Sequence, residues 1–415
     1  MLNRLRIVAV ACCMLLMLPF GVYGESAAAA SSPASKQTTI LLDNYPLPFP
    51  VEPEFINGTT MVPFRAIAEA LRIDVKWDSR TQTITANKMI NGQLKKITLR
   101  LGDKQATVSG QKVGLLVAPL AKEGTTLIPL QFFSTQFGAK VSWNQQSRTI
   151  SIQSPVEPIY ISAYYAVKAY HEIGLIPHLN SVSFGWSQID DDGKLTLIWP
   201  KPDGDVTGEK IAENSAAGNT TPYLLVFGKD GKGQLTKLLN DPALRAETID
   251  GMIELATTKG FHGIDIDFEG IGLTGDTEQA KQAMTEFMRL LHQQTKPAGL
   301  KLSIAVHPPN GAYRGYDYKK LAAYVDEMTI MAYHYEDETS PEPMKRVDEA
   351  IRMSLKEVPK EKLVLGISLA SENKSSVNDK IGLAKRYGLK GVAFWRIGMF
   401  GEGMIEQIER TASRK

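Results

Sequence analysis

The chain has 415 residues, of which 43% are hydrophobic, and its 47 Lys and Arg residues nearly balance 45 Asp and Glu residues. This length predicts two or three domains. The balanced charge, with no long basic run, argues against nucleic acid or an anionic membrane as the main partner and favours a neutral or mixed one.

Residues 1–28 have the features of a secretory signal peptide, because two arginines precede an apolar stretch, residues 7–20, and small residues follow it. An uncleaved N-terminal anchor is the alternative. Both cysteines, Cys12 and Cys13, lie in this stretch. The mature protein would then have no disulfide, no thiol nucleophile and no cysteine-based metal site. Export without disulfides favours the exterior of a Gram-positive bacterium, with a secreted or cell-wall location.

A repeat follows the leader predicted for residues 29–37. Four residues recur at a constant spacing of 66 residues, Gly58, Pro63, Trp77 and Thr83 becoming Gly124, Pro129, Trp143 and Thr149. Each unit has a Gly-Thr-Thr turn, a short apolar strand, a helix and two alternating strands, which predicts a small α+β domain over residues 38–152. The equivalent positions of Trp77 and Trp143 favour a packing role over sugar stacking.

This repeat domain resembles the stalk module named after the N-terminal domain of copper amine oxidases. The resemblance implies a spacer or an accessory domain that faces the cell wall. Residues 38–152 contain neither histidine nor cysteine, so we expect no bound copper. Residues 153–158 are predicted to be a linker.

The rest of the chain, residues 159–412, alternates short apolar strands with amphipathic helices. In the helix predicted over residues 277–294, one apolar face is formed by Met284, Phe287, Met288 and Leu291. We predict eight strands, at residues 159–165, 181–186, 223–228, 263–268, 300–306, 327–333, 363–369 and 391–395. Their number and the length of the segment predict a (β/α)₈ TIM barrel. An open doubly wound sheet is the alternative, but no glycine-rich phosphate turn follows the first strand.

The predicted fourth strand lies in the stretch HGIDIDFEG, residues 262–270. Acidic residues occupy alternate positions, namely Asp265, Asp267 and Glu269. Because strand side chains alternate, all three share one face, about 6–7 Å apart, and the apolar residues between them point towards the helices. In a barrel this row would run from the interior to the catalytic mouth.

A row of confined carboxylates has two chemical interpretations. Mutual repulsion raises at least one pKa, and a carboxyl group that stays protonated near neutral pH can act as a general acid. A Mg²⁺ or Ca²⁺ ion could instead neutralise the row. We favour the acid, and predict that the protein needs neither metal nor cofactor.

The same stretch resembles the D-G-x-D-x-D-x-E signature of glycoside hydrolase family 18, the chitinase-like barrels. The segments MAYHYED (331–337), KEKLVLGIS (360–368) and GVAFWRIG (391–398) resemble the sixth, seventh and eighth strands of that family. The resemblance covers residues 157–412, and the signal-plus-stalk arrangement is most similar to cell-wall or spore-associated bacterial members.

The resemblance implies a retaining mechanism in which the substrate's 2-acetamido oxygen attacks the anomeric carbon. Glu269 would be the general acid and later the base. Asp267 would hold the acetamido N–H, Asp265 would share a proton with Asp267, and Tyr333 would donate its hydroxyl. Trp395 would stack on the sugar. Further candidates for substrate contact are Tyr164, Met331 and His334.

Three residues depart from the family pattern: His262 replaces an aspartate, Phe268 a tryptophan and His334 an aspartate. We expect the first two to be tolerated. His334 could be a donor that shifts the pH optimum or a rim residue without a role.

The predicted function is a secreted hydrolase of N-acetylglucosamine polymers, in peptidoglycan, spore cortex or chitin. A non-catalytic chitinase-like lectin is the alternative, and a structural wall protein is a third. The presence of Glu269 favours the enzyme, since lectins of the family often lose that acid.

Overall fold

The computed structural model describes residues 38–90, 92–166 and 169–415. The predicted signal peptide and leader lie outside these residues. Within them, no helix combines the length and the apolarity needed to cross a bilayer.

The N-terminal domain is built from three small sheets and two short helices. Its strands are β1 (Thr39–Leu42), β2 (Tyr45–Pro46), β3 (Glu54–Ile56), β4 (Thr59–Pro63), β5 (Asp74–Asp78), β6 (Thr83–Ile90), β7 (Gln93–Arg100), β8 (Gln105–Val108), β9 (Gln111–Gly114), β10 (Leu120–Lys122), β11 (Thr125–Pro129), β12 (Lys140–Asn144) and β13 (Thr149–Gln153). The helices are α1 (Phe64–Ala70) and α2 (Leu130–Gln136). The sheet orders are β12-β13-β1-β2, β10-β11-β4-β3 and β5-β6-β7-β8-β9.

The two sequence repeats have the same local structure. In each, a strand ends at a proline and a helix of seven residues starts at the next residue, since the fixed φ of proline suits a helix start. The two central strands, β4 and β11, pair antiparallel. The repeat tryptophans differ, however. Trp77 packs against the domain core, whereas Trp143 is 51% exposed. The packing role predicted for both therefore holds only for Trp77.

Eight parallel strands form the barrel: β14 (Glu157–Tyr165), β15 (Ser181–Ile189), β17 (Thr221–Lys229), β18 (Gly263–Glu269), β19 (Lys301–Val306), β20 (Glu327–Ile330), β21 (Leu363–Ser368) and β22 (Gly391–Ile397). Each pairs with the next in this order, and β22 pairs with β14, so the sheet closes. Two short strands, β16 (Leu195–Leu197) and β23 (Ala412–Arg414), extend β15 and β14. The predicted barrel, preceded by a smaller α+β domain, is confirmed.

Helices surround the barrel: α3 (Gly208–Ala217), α4 (Gln234–Asn240), α5 (Pro242–Thr258), α6 (Thr277–Thr295), α7 (Tyr318–Ala322), α8 (Met344–Ser354), α9 (Val377–Tyr387) and α10 (Met404–Glu409), with a 3₁₀ helix over Tyr170–His178. The predicted apolar face of α6 is fully buried, and Phe287 on this face packs on Phe268 with ring centroids 5.3 Å apart. Asp276 starts α6 by accepting the N–H groups of Glu278 and Gln279. The outward side chains of β18 thus form the strand–helix core.

Two strand ends differ from the predictions. β14 begins at Glu157, within the segment predicted as a linker, and β20 ends at Ile330, three residues before the predicted end. The chain leaves the sheet after Ile330, so Tyr333 lies in a loop at the mouth. An isolated apolar run cannot show where strand pairing stops, because pairing depends on the neighbouring strands.

A buried lysine joins the N-terminal domain to the barrel. Lys385 on α9 donates to Ser154 Oγ at 2.7 Å and to the carbonyl oxygen of Thr411 at 2.8 Å. Lys88 of the N-terminal domain forms a 2.5 Å ion pair with Glu157, at the start of the barrel. Burying polar groups such as these costs free energy unless they are paired. The pairing therefore favours one arrangement of the N-terminal domain and the barrel.

Candidate active site

The structure places the three predicted carboxylates in one row on the inner face of β18. Asp265 and Asp267 are buried, at 2% and 3% exposure, and Glu269 is half-buried at the carboxyl end of the strand. The alternating apolar residues face outward and are fully buried. The row therefore runs from the barrel interior to its mouth, as the alternation predicted.

Asp265 is held by a side chain from β15, two strands away in the sheet. The Ser183 hydroxyl on β15 donates to its Oδ2 at 2.6 Å. The pKa of Asp265 is raised to about 7, chiefly by burial and also by the charge of the buried Glu327, while hydrogen bonds from Ser183 and Ser303 oppose the rise. Glu327 in turn accepts hydrogen bonds from Tyr160 and Lys390 at the base of the barrel. Asp265 can therefore carry a proton near neutral pH.

The pKa of Asp267 is also raised. Burial raises its pKa well above the ordinary value, and the charges of Glu269 and Asp265 raise it further. One carboxylate oxygen of Asp265 and one of Asp267, both Oδ1, are buried without a hydrogen-bond partner among the described residues. A buried carboxylate without a partner is costly, whereas a carboxyl group that holds a proton is much less so. The pair is thus suited to sharing a proton.

Glu269 differs from the two aspartates because cations lie near it. Burial raises its pKa, while the positive charges of Lys229 and His334 lower it. Lys229 ends β17 directly beside Glu269 in the parallel register, and His334 is exposed in the loop after β20. Lys229 was not predicted from the sequence, because its proximity depends on the register of adjacent strands.

The strand end that carries Glu269 is fixed by the loop after β19. Tyr316 is buried and donates its hydroxyl to the carbonyl oxygen of Phe268 at 2.6 Å. The N–H of Gly315 donates to the carbonyl oxygen of Ile271 at 3.1 Å. These bonds hold the backbone on both sides of Glu269, and hence the position of its carboxyl group.

Three predicted substrate contacts, Tyr164, Met331 and Trp395, lie in one apolar cluster. The predicted catalytic residue Tyr333 belongs to the same cluster, which is separate from the strand–helix core. Tyr164 and Trp395 lie with ring centroids 5.6 Å apart, at 54° to each other. Trp395 is half-buried and precedes a cis peptide bond to Arg396. The cluster provides an apolar wall beside a polar row, which suits a ligand with apolar faces and polar edges.

Tyr333 is a neutral donor close enough to Asp267 and Glu269 to be affected by their charges. Burial raises the pKa of its hydroxyl well above the ordinary value, and Asp267 and Glu269 raise it further. Gly366 on β21 leaves room for its ring, since a Cβ there would lie 3.0 Å from Tyr333 Cε1 and 2.8 Å from the carbonyl oxygen of Ile330. The hydroxyl therefore stays protonated and available for donation.

A series of buried hydrogen bonds through two glutamates supports the loop that contains Tyr333 and His334. His334 has a positive φ of 60°, which a non-glycine residue adopts at some cost. Glu342 is buried and accepts the N–H groups of His334 and Tyr335 at 2.7 and 3.2 Å. The N–H of Glu342 donates to Glu372, which forms a buried 3.0 Å ion pair with Lys380. These hydrogen bonds were not predicted from the sequence, because no local pattern indicates them.

His307 at the end of β19 was also missed. Its ring stacks on Tyr313 with centroids 3.9 Å apart, and its Nε2 is buried without a partner among the described residues. Its pKa is lowered to about 4, chiefly by burial and also by the positive charges of Lys229 and His334. The imidazole is thus neutral at physiological pH and could accept or donate a hydrogen bond.

The described residues contain no group of three or more His, Cys, Asp or Glu side chains placed to hold a metal ion. The alternating carboxylates of β18 are spread along the strand rather than converging on one point.

Two family models match the chain. "Glycosyl hydrolases family 18" matches residues 160–372, and "Copper amine oxidase N-terminal domain" matches residues 41–152. Among curated proteins, YdhD of Bacillus subtilis is 28% identical over 184 residues, which are 40% of this chain and 43% of YdhD. The cortical fragment-lytic enzyme of Bacillus subtilis is 28% identical over 165 residues, which are 36% of this chain and 37% of that enzyme. The chain spans less than half the length of the curated relatives it matches.

Solved structures share the barrel fold. The Bacillus cereus spore cortex-lytic enzyme SleL has a TM-score of 0.52 at 18% identity, over 63% of this chain and 77% of SleL. A chitinase from Chromobacterium violaceum has a TM-score of 0.52 at 19% identity, over 61% of this chain and 98% of that chain. At these identities the likeness shows the fold, and the chemistry has to be argued from the residues of this chain.

Proposed function

The chain belongs to family 18 of the glycosyl hydrolases, and from this premise we propose that it is a secreted, retaining glycosidase of β-linked N-acetylglucosamine polymers. The observation that carries the proposal is the row on β18, where half-buried Glu269 stands at the mouth above two buried aspartates with raised pKa values. A row of this kind can supply a proton at its open end and hold charge beneath it.

Glu269 is the proposed general acid. It gives its proton to the glycosidic oxygen as the bond to the anomeric carbon breaks, and its carboxylate later takes a proton from the attacking water. The raised pKa favours the protonated form, while Lys229 and His334 limit the rise. The balance lets one group serve first as an acid and then as a base.

The substrate's acetamido oxygen is the proposed nucleophile, so that no second carboxylate attacks. Asp267 accepts the acetamido N–H, and the positive charge that develops on the acetamido group is stabilised by the Asp265–Asp267 pair. Tyr333 donates its hydroxyl to the acetamido oxygen. The apolar faces of the sugar pack on Trp395, with Tyr164 and Met331 completing the wall.

The relatives favour a substrate from the bacterial wall. One matching protein is named a cortical fragment-lytic enzyme and a structural neighbour a spore cortex-lytic enzyme, while others are chitinases. We therefore propose peptidoglycan or spore cortex as the natural polymer and chitin oligomers as usable substrates. The same relatives support a spore or cell-wall location in a Gram-positive bacterium, and we propose in addition that the N-terminal domain contacts the wall.

Hydrolysis by the wild type and by Glu269→Gln tests the proposal. Both proteins are incubated with N-acetylglucosamine oligomers and with purified peptidoglycan, and the released products are separated by chromatography. We expect the wild type to release short products and Glu269→Gln to lose at least about a hundredfold in rate, while both bind the oligomers.

A non-catalytic carbohydrate-binding protein is the second candidate, because the apolar wall at the mouth could hold a sugar without cleaving it. In that case neither protein would release product, and both would bind the oligomers equally. The intact Glu269 and the buried aspartates beneath it favour the enzyme, since a lectin gains nothing from two costly buried acids.

A further inference from the structure

A second candidate binding site lies in the N-terminal domain, in a groove between the two repeats. The groove has a volume of about 510 Å³, within the range of about 300–1,000 Å³ that is usual for ligand sites. It is lined by β3, β4, the segment after β9, the start of α2, and the strands β12 and β13. We call it the repeat groove.

Large apolar side chains are exposed in the repeat groove. Phe55 is 75% exposed, Leu116 79% and Trp143 51%, and all three line it. Phe132 on α2 adds a third aromatic ring. Exposed apolar groups that gather at one groove are a mark of a binding site, because scattered ones are normal but clusters cost free energy in water.

Neutral polar side chains lie between the apolar ones. Thr59, Thr60, Gln131, Thr135 and Ser142 line the groove, and no Asp, Glu, Lys, Arg or His is among its lining residues. Within the described residues, the side chains of Thr59, Thr60 and Gln131 make no hydrogen bond. Their polar atoms are therefore left for water or a ligand.

The two repeats show that this neutrality is local to the groove. Three residues that line the groove in the second repeat are Gln131, Thr135 and Ser142. The equivalent positions of the first repeat, 66 residues earlier, carry charged residues, namely Arg65, Glu69 and Lys76. Ala66 stands where the second repeat has Phe132. The second repeat thus replaces charge with neutral polarity and adds an aromatic ring where the groove forms.

We propose that the repeat groove binds a strand of neutral polysaccharide with N-acetylated sugar units. Sugar rings have apolar C–H faces that pack on aromatic rings and a rim of hydroxyl and amide groups that bond to neutral donors and acceptors. A neutral ligand also fits a lining without charge. A protein partner would leave the interleaved polar groups to be desolvated, which costs free energy unless each finds a partner.

The identity of the sugar rests on the proposed function, because the barrel supplies the reason to expect this polymer. The groove would hold the chain on the polymer while the barrel cleaves it. Linking two weak sites in one chain raises the apparent affinity for a long polymer without any new contact. Short soluble oligomers would gain nothing from the groove during catalysis.

Co-sedimentation with insoluble chitin and with purified peptidoglycan tests the proposal and distinguishes the two sources of the sugar. The full-length protein carries Glu269→Gln to prevent cleavage, and is compared with the same protein carrying Trp143→Ala, Phe55→Ala or Gln131→Arg in addition. We expect each added change to weaken binding to at least one polymer by about tenfold or more, from the lost contact or the introduced charge. Leu94→Ala is the matched control, because Leu94 is 59% exposed in the same domain and does not line the groove.

Two further measurements keep the outcome decisive. In the otherwise wild-type protein, Trp143→Ala should leave kcat/KM on a soluble oligomer unchanged and lower the rate on the insoluble polymer. Unchanged polymer binding by all three groove variants would overturn the proposal, even if the barrel cleaves oligomers. A different result would also overturn the proposal: the protein forms a concentration-dependent dimer, and Trp143→Ala dissociates the dimer but leaves polymer binding intact. The repeat groove would then bind a second copy of this protein. Failure of the barrel to cleave anything would contradict the proposed function, while groove binding to the polymer would still be measured.

Discussion

The hydroxyl of Ser183 on β15 and the carboxylate of Asp265 on β18 lie 2.6 Å apart inside the barrel, with β17 between their strands, and both side chains are buried. This bond opposes the rise that burial imposes on the pKa of Asp265. The strength of this hydrogen bond therefore affects the charge that Asp265 carries near neutral pH. That charge in turn affects the stability of the fold and the proposed chemistry.

The stability of the protein should depend on the protonation of Asp265. The folded carboxyl has a pKa of about 7 against an ordinary 3.8, so the folded state holds a proton that the unfolded state has released between these values. Its contribution is fully present below about pH 4 and is lost as pH rises through about 7, at up to about 1.4 kcal/mol per pH unit. Asp265→Asn should flatten this slope in urea unfolding between pH 4 and pH 7. Parallel slopes for the two proteins would contradict the assignment.

The cation beside Glu269 should set the basic limb of the pH profile. Because the charge of Lys229 lowers the pKa of Glu269, Lys229→Met should raise that pKa. A general acid with a higher pKa stays protonated to higher pH, so the basic limb of kcat/KM should move upward. Lys232→Met is the control, since Lys232 is exposed in the segment that follows β17 and pairs with Asp191. Equal profiles for both variants would exclude the proposed influence of Lys229.

Glu342 should position the Tyr333 loop without touching substrate. Glu342→Ala removes the acceptor of two N–H groups at His334 and Tyr335, so Tyr333 should lose its fixed position. We expect kcat to fall by about ten- to a hundredfold, with KM changing less. Glu342→Gln keeps one carbonyl acceptor and should recover part of the rate. A role in stability alone would lower the melting temperature of both variants and leave kcat of the folded enzyme unchanged.

The buried pair behind this loop should matter for folding. Lys380→Met leaves Glu372 buried without its cation, which should lower the free energy of unfolding by about 3–5 kcal/mol. Adding Glu372→Gln should recover part of the loss. Lys356→Met, at an exposed site, should change it by less than about 0.5 kcal/mol. Denaturant unfolding measures all four proteins, and a loss at Lys380 no greater than that at Lys356 would show that the pair contributes little.

The sequence is sufficient to predict the parts of the fold that follow local periodicity. The alternation in Gly263–Glu269 separates the carboxylates from the apolar core, and the structure has the same separation. The apolar face of α6 and the number of barrel strands are predicted in the same way. These features depend on residues that are close in the chain, so their pattern is visible without the fold.

Features that tertiary packing determines are not visible in this way. Lys229 lies beside Glu269 only because β17 and β18 pair in one register. Glu342 folds back onto His334 within the irregular connection after β20, and Trp143 is exposed although its repeat partner Trp77 packs on the core. Each of these depends on what tertiary packing covers or leaves open, which the residue type does not determine.

Proton NMR of the first product formed from a β-linked tetramer of N-acetylglucosamine tests the proposed chemistry most directly. The wild type should release a new reducing end that is first β and only later equilibrates, as a retaining reaction requires, and Glu269→Gln should release none on the same timescale. A new reducing end that is first α, or equal release by Glu269→Gln, would contradict the mechanism built on Glu269 and Asp267.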